Sequence, residues 1–505
     1  MKNINKYNLK INDTYKNCVL LVNRGSYDSV IKTCLIAHIF NKEKKIVPII
    51  LHNSNLTNKK KNIYKSFGIK RFYNLDNKLF FKSFVDVLNA IYFLLFNDLE
   101  NFIKKFSSNN LKVGDLIYDT YLRFKDDFYK PKKFSYNFIK NIFRASRIIH
   151  YINYIFKDNY NNVRSVVLSQ FCYANSSTLI AKYLGNKKMQ KFLLSGPNLN
   201  KINLSTNLIH PHCVTKRKLN SSKFNQKEKK IYKDHLIKRF SGKLWYQPDV
   251  VKAYSKNNEY YDLSSLKKKL NIPQNKKFKK IILFACHAFK DACHSTGGML
   301  YRDYFDQLDN TINYIKDNNE NLWIFKPHPA SKFYNEQNFL DDYFKHKGIF
   351  KSDHIKIAPK EINNQSIMEI CDTVVTCSNT LGIELAAFFG KKPILAGNAF
   401  YSNLGFTYDC KSKQEYLSVI KNFNIETKLK KKQINDANKT LYLIECKNKM
   451  VNFGNIFPPQ RIKVNGEYIF LKEKKYLSII QKNLNKFNPL KDPYYQYLKN
   501  TIINR

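Results

Sequence analysis

The sequence predicts an α/β protein of two Rossmann-like lobes, each with a parallel sheet, with a cleft between the lobes and a helical C-terminal segment. Three observations predict it. Short apolar runs alternate with helical patterns in the first 200 residues, and the same alternation restarts near residue 276. The chain's 505 residues are enough for two or three domains with real cores. Hydrophobic residues make up 43% and aromatics 15%, so most of the chain is expected to fold.

The first lobe is placed at 1–200, with a helical insertion. Residues 18–22 (CVLLV) are an apolar strand, followed by the turn Asn23-Arg24-Gly25. Ser26 can cap a helix running to about Phe40, and 46–51 (IVPIIL) read as the next strand, completing a βαβ unit. Residues 80–106 and 136–157 carry long helical patterns. After them come a strand at 165–170 (SVVLSQ), a helix at 175–184 and a closing strand at 191–196 (KFLLSG). The Lys- and Asn-rich stretch 201–275 has few apolar runs and suits a connection between lobes. The second lobe, 276–425, has strands at 280–286, 321–325, 354–358, 373–377 and 393–397, with helices at 304–316 and 379–389. Residues 426–505 read as helices and a basic tail, and no internal repeat is evident. Open α/β sheets place ligands beyond their strand C-termini, so function is sought in the loops there.

Lys and Arg number 87 against 39 acids, a formal charge of +48. Such an excess suits an anionic partner: a nucleic acid, a phosphate-rich ligand or an acidic membrane face. A compositional bias that spreads Lys and Asn through the chain accounts for it equally well. The blocks Lys59-Lys60-Lys61 and Lys430-Lys431-Lys432 read as solvated helix ends, and no RNP-like, finger or helix-turn-helix pattern accompanies them. No specific nucleic acid is therefore expected. The ten cysteines are scattered, and Cys18, Cys286 and Cys377 lie in apolar strands, as befits buried thiols in a reducing compartment. The N-terminus lacks the apolar core of a signal peptide. The most apolar segment, 85–96 (VDVLNAIYFLLF), is too short to span a membrane and is interrupted by Asp86 and Asn89. The expected location is cytoplasmic, with peripheral contact to an anionic inner membrane as a further expectation.

Two loops carry phosphate-binding chemistry. Lys326-Pro327-His328-Pro329 follows the strand NLWIF, and its prolines stiffen the backbone that holds His328. A Lys and a His at one strand end can bind a phosphate by charge and a directed N–H. Cys377-Ser378-Asn379-Thr380-Leu381-Gly382 follows TVVTC and opens a helix, with Ser378 or Asn379 as its N-cap. The helix N-terminus and the hydroxyls of Ser378 and Thr380 make an anion site, and Glu384, one turn on, could accept from ribose hydroxyls. Simple capping and a first-turn acid would leave the same residues. Neither loop is a Walker or GxGxxG fingerprint, which disfavours a simple ATPase or NAD enzyme.

These motifs resemble a family. Cys286-His287-Ala288-Phe289-Lys290-Asp291, the stretch 301–311 (YRDYFDQLDNT), WIFKPHP and VVTCSNTLGIELAAFFGKKPILAGNAFYSNLGFTYD are similar to bacterial capsule and surface-polysaccharide biosynthesis proteins. These include transferases of 3-deoxy-manno-octulosonic acid (Kdo) and, more distantly, sialyltransferases. The likeness covers about 280–410, with a weaker block upstream at Val113-Gly114-Asp115, Tyr118-Asp119 and Leu122-Arg123. It implies a GT-B glycosyltransferase, with an acceptor lobe first and a nucleotide-sugar lobe second. It also implies that His328, Ser378 and Thr380 contact the donor phosphate, with Lys326 and Asn379 in the same loops.

The acidic base motif of the sialyltransferases is missing here, which leaves the catalytic carboxylate to Asp115 and Asp119, as general base or as nucleophile. Capping by an Asp after Gly114 is the plain alternative. Cys286-His287 and Cys293-His294 suggest zinc, but Cys-x₆-Cys is wider than the usual spacing. His287 and Asp291 are better read as residues of a sugar-site loop. No Asp-x-Asp occurs, so no obligatory metal and no cofactor beyond the nucleotide sugar are expected. The expectation is a metal-independent transferase moving a CMP-activated acidic sugar to a capsular or lipopolysaccharide-type glycan or glycolipid acceptor. Its rivals are an epimerase of the same fold and a non-enzymatic basic protein that binds RNA or a membrane surface.

Overall fold

Strand β1 (Cys18–Val22) is five apolar residues, every one buried, because the strand is central and covered on both faces. The computed structural model describes residues 11–503, except 24, 54–55, 77–79, 126, 160–161, 186, 197, 203–209, 211–212, 245–247, 255–258, 360, 424–425, 447–455, 459–460 and 465–466. Arg24 of the expected turn thus lies outside the described residues.

Around β1 the first unit assembles β2 (Val47–His52), β3 (Arg71–Asn74), β4 (Val163–Leu168), β5 (Gln190–Ser195) and β6 (Asn198–Ile202). The sheet order is β3-β2-β1-β4-β5-β6, parallel except for β6, which runs antiparallel to β5. Helix α1 (Tyr27–Lys44) starts at Ser26, whose hydroxyl accepts from the Ser29 N–H at 3.2 Å. Every residue from Ser29 to Asn41 is buried, because the C-terminal helix Pro493–Ile503 packs against α1. Val19, Leu35 and Phe40 therefore share one core with Tyr494, Leu498 and Ile502.

The helical insertion holds α2 (Phe81–Phe96), α3 (Gly114–Arg123) and α4 (Tyr136–Asn159). The pattern at 80–106 is not one helix. Asn97 is extended, and Asp98 caps a new helix, Leu99–Lys105, by accepting from the Asn101 N–H at 2.7 Å.

The second unit repeats the plan with β7 (Ile281–Ala285), β8 (Leu322–Lys326), β9 (Ile355–Ile357), β10 (Thr373–Thr376), β11 (Ile394–Leu395) and β12 (Tyr408–Asp409). Its order is β9-β8-β7-β10-β11-β12, with every pair parallel. Numbered from one, both sheets read 3-2-1-4-5-6, the Rossmann order. The fold class is α/β with two Rossmann-like units of the GT-B-like kind. Helices α5 (Gln226–Phe240), α6 (Tyr304–Ile315), α7 (Thr380–Phe389) and α8 (Lys431–Glu445) belong to this unit.

The first unit comprises Met1–Tyr121, Lys132–Ile209 and Asn448–Arg505, and the second comprises Leu122–Pro131 and His210–Lys447. Much of 201–275, expected as a connection, is therefore helical: it holds α5, with a capping box at Asn225 and Glu228, and the short helices Lys216–Ser221, Pro248–Ala253 and Leu263–Lys269. The tail 426–505 is divided, with α8 in the second unit and the last helix in the first. The short excursion 122–131 adds Phe128 to an aromatic cluster with Phe289, Phe305 and Phe339, at centroid distances of 5.4, 6.1 and 4.7 Å.

Gly114 opens α3 where a Cβ would run into the carbonyl of Phe102. Because that obstacle is backbone, Gly114→Ala should cost about 1–3 kcal/mol, read as a lower urea midpoint at unchanged slope.

Candidate functional site

In the second sheet the strand order reverses between β7 and β10, and the loops leaving those two strands flank the crevice where open α/β sheets hold ligands. The loop after β7 carries His287, the one after β10 carries Ser378, and β8, on the other side of β7, leads into Lys326-Pro327-His328.

His287 joins the two loops of the crevice. Its Nε2 accepts the Ser378 backbone N–H at 3.1 Å and lies 3.1 Å from the Thr376 hydroxyl, so the ring proton sits on Nδ1. The imidazole stacks on Tyr304, centroid to centroid 4.0 Å and 8° from parallel. Burial pushes the His287 pKa down to about 3, and the neighbouring His328 lowers it further by like-charge repulsion. His287 is thus a neutral imidazole at physiological pH, and the two histidines stand close to one another. His328 accepts the Ala330 N–H on Nδ1 at 3.1 Å, which makes Nε2 its donor nitrogen.

Lys326 is 8% exposed, and among the described residues its ammonium makes no ion pair and no hydrogen bond. Burial pushes its pKa down to about 8, with Lys252 adding repulsion. Lys252 donates to the Pro329 carbonyl at 3.0 Å, so both ammonium groups gather at the same loop. A buried cation beside a second cation is costly until an anion joins it.

Asn379 is the N-cap of α7. Its Oδ1 accepts the Leu381 N–H at 3.0 Å and its Nδ2 donates to the Cys286 carbonyl at 3.3 Å. Of the two capping candidates the structure selects Asn379, and the cap occupies the side chain expected to bind donor. The Ser378 hydroxyl faces the Tyr304 hydroxyl at 3.4 Å. At Thr380, half-buried in the first turn, neither N–H nor hydroxyl has a partner among the described residues. An oxyanion could take both.

Glu384 has a different occupation from the expected ribose contact. It is 1% exposed, and its two carboxylate oxygens bond Arg239 and the Tyr254 hydroxyl. Arg239 also lies 3.8 Å from Glu445, which ties α5, α7 and α8 together through one buried cation. With both oxygens engaged in the core, the carboxylate is not available to a sugar.

Asp291 accepts the Ala292 N–H at 2.9 Å and pairs with Tyr334, whose ring lies 4.1 Å from the Arg123 guanidinium. The loop behind His287 is clamped by Glu336, which takes the N–H groups of Phe289 and Lys290 at 2.9 and 2.8 Å. Burial raises the Glu336 pKa to about 7. In the first unit, Asp115 accepts the Leu116 N–H at 2.8 Å and pairs with Lys182 at 3.0 Å, while Asp119, one turn on, is fully buried. The four Cys and His residues that suggested zinc do not form one cage: Cys293 contacts the His294 ring at 3.2 Å, Cys286 is buried with its Sγ nearest the Phe284 carbonyl, and His287 is held as described.

Tyr304 and Arg123 stood inside the quoted sequence blocks without a role. Lys252 and Glu336 carry no local signal, since each acts through a loop distant in sequence.

The family model for capsule polysaccharide biosynthesis proteins matches residues 187–443, which is half of the chain. The chain belongs to the capsule polysaccharide biosynthesis protein family. The matched stretch includes β7 to β12 and all three loops of the site. No curated protein sequence matches the chain. Among solved structures, this family member is similar to KpsC of Thermosulfurimonas dismutans, a beta Kdo 2,4 transferase, at 11% identity and TM-score 0.31, covering 55% of this chain and 79% of that one. The UDP-GlcNAc 2-epimerase of Neisseria meningitidis bound to UDP-GlcNAc matches at 11% identity and TM-score 0.24, over 86% and 97%. Anabaena Alr3699/HepE in complex with UDP-glucose matches at 10% identity and TM-score 0.24, over 93% and 98%. All three likenesses are distant.

Two outcomes check this geometry. Arg239→Leu leaves two buried carboxylates without their cation and should lower stability by about 3–5 kcal/mol in denaturant titration. For Glu336 the folded pKa is raised, so its contribution is full below the unfolded value near 4.5 and is lost as pH rises through about 7. Glu336→Gln should flatten that decline in a melting series from pH 4 to about 8.

Proposed function

We propose that this chain is a glycosyltransferase whose second unit binds a nucleotide sugar, a CMP-activated acidic sugar of the Kdo type, and passes the sugar to a capsular or lipopolysaccharide-type glycan or glycolipid. One observation carries the reading: among the described residues the buried ammonium of Lys326 has no anion beside it, and its loop, the His287 loop and the first turn of α7 follow three adjacent strands of the second sheet. Membership in the capsule biosynthesis family supports the same substrate class.

In this reading the donor phosphate takes the Thr380 N–H and hydroxyl, the His328 Nε2–H and the charge of Lys326. His287 is a positioning residue: neutral, it holds the Ser378 backbone and leaves Nδ1–H as its donor. As the glycosidic bond breaks, negative charge grows on the leaving nucleotide, and donors fixed beforehand stabilise it without reorganising. The acceptor hydroxyl needs a base, or the sugar a nucleophile, and of the two expected carboxylates Asp115, part-exposed, is proposed for that task, because Asp119 is fully buried.

Thermal-shift titration with CMP, UDP, GDP and CDP tests the ligand: CMP should raise the melting temperature most, in proportion to the logarithm of its concentration over Kd. His328→Ala should cut transfer by roughly 10²-fold or more with little loss of stability, as for removal of one charge-stabilising donor. Turnover of the nucleotide sugar to its epimer without any acceptor would instead mark an epimerase.

The Lys326 pKa supplies a signed prediction. Free, the ammonium is half deprotonated near pH 8, and a bound phosphate favours its charged form. Nucleotide binding should therefore take up a proton between about pH 8 and 10, with affinity falling as pH rises through that window. Calorimetry in buffers of different ionisation enthalpy reads the uptake, and Lys326→Met should abolish it.

A further inference from the structure

Helix α2 leaves a row of large apolar side chains exposed. Phe81, Phe84, Val85, Leu88, Tyr92, Leu95 and Phe96 are between 37% and 82% exposed, while the buried residues are Ser83, Ala90 and Leu94. At 100° per residue the seven exposed side chains fall within a single arc of about 120°. The inward side is mixed, with Ala90 and Leu94 buried beside one polar group. Asp86 accepts from the Ser108 hydroxyl at 2.5 Å, from the Ser146 hydroxyl and from His150 Nε2 at 2.9 Å. An ordinary surface helix buries its apolar stripe, whereas α2 leaves one exposed as well. A contiguous row of this kind marks a docking surface.

Basic residues are exposed on and next to α2. Lys82 is exposed on α2 itself, and Lys140 and Arg144 are exposed on α4, which packs along α2. Lys133 donates to the carbonyls of Leu94 and Asn97 at 3.4 and 2.8 Å, fixing exposed Phe134 and Lys132 beside the C-terminal end of α2. The nearby acids are already spent: Asp86 points inward, and Asp98 caps the next helix. Among the described residues no helix is long and apolar enough to cross a membrane. An exposed apolar face beside basic residues suits a helix lying in a surface.

We propose that this face of α2 lies on an anionic phospholipid bilayer, its aromatic and leucine side chains at the acyl boundary and the neighbouring Lys and Arg at the lipid phosphates. A second copy of the chain fits less well, because a two-fold contact through α2 would bring the same basic residues together. The surface belongs to the first unit, and the proposal does not depend on the nucleotide site proposed for the second.

Flotation of the full-length chain with phosphatidylcholine vesicles, with and without about a third phosphatidylglycerol, tests the proposal. The wild type should float with the anionic vesicles. Leu88→Ser/Leu95→Ser should reduce partitioning at least tenfold at unchanged melting temperature, and Lys140→Glu/Arg144→Glu should reduce it several-fold. Leu88→Trp, which keeps the apolar surface, should gain a blue-shifted emission component on anionic vesicles, and this readout stands even if the serine pair fails to fold. Three results would each overturn the proposal: a wild type that does not float, a folded serine pair that floats like the wild type, or a wild-type dimer that the serine pair makes monomeric.

Discussion

One backbone N–H organises the second unit's site. Ser378 donates it to Nε2 of His287 across the point where the sheet reverses its strand order. The bond decides several things together. It makes Nε2 an acceptor, so the ring stays neutral with its proton on Nδ1. It joins the loop after β7 to the first turn of α7, a connection that the Asn379 amide reinforces by donating to the Cys286 carbonyl. A bond of this kind is worth about 1 kcal/mol net, but leaving the buried N–H unmatched would cost about 1–3 kcal/mol. The stack of Tyr304 on the imidazole and the Glu336 clamp behind it then hold the loop from the other side.

How lysines are satisfied explains why Lys326 stands apart. With 87 basic residues against 39 acids, most ammonium groups cannot find a carboxylate. Many use carbonyl oxygens instead. Lys391 donates to the carbonyls of Met368, Glu369 and Cys371, Lys191 to those of Gly185 and Lys187, and Lys267 to those of Gln274 and Lys276. Buried Lys32 has both Asp28 and the Gly196 carbonyl. Several buried and half-buried lysines are thus satisfied by the chain's own backbone carbonyls. A buried ammonium left outside that scheme carries more information than the total.

The central strands were legible because parallel strands covered on both faces are uninterrupted runs of Val, Ile, Leu and Phe, and nothing else of that length competes for such a pattern. The loops after them were legible as polar punctuation at strand ends, which is how His328 and the Ser378–Thr380 turn stood out. What the residues faced was not legible. Glu384 sits one turn into α7, where a ligand-binding acid and a core acid look the same. Its partner Arg239 lies 145 positions earlier, in a Lys-rich stretch that reads as a connection. Asn379 and Ser378 were equal candidates for one cap, and only geometry separates them. The run at 85–96 was visible as apolar, with Asp86 as an interruption, yet its direction was hidden: the acid faces in and the aromatics face out.

The first unit's hydrophobic interior includes Ile480, Tyr494, Tyr495 and Leu498 from the far end of the chain, packed around α1. His38 meets the Tyr495 hydroxyl at 2.7 Å. On the ribosome, β1 and α1 emerge long before the residues that cover them, since His38 and Tyr495 are 457 positions apart. The second unit has all its sequence available before synthesis ends, so it can mature while its predecessor waits with an open flank.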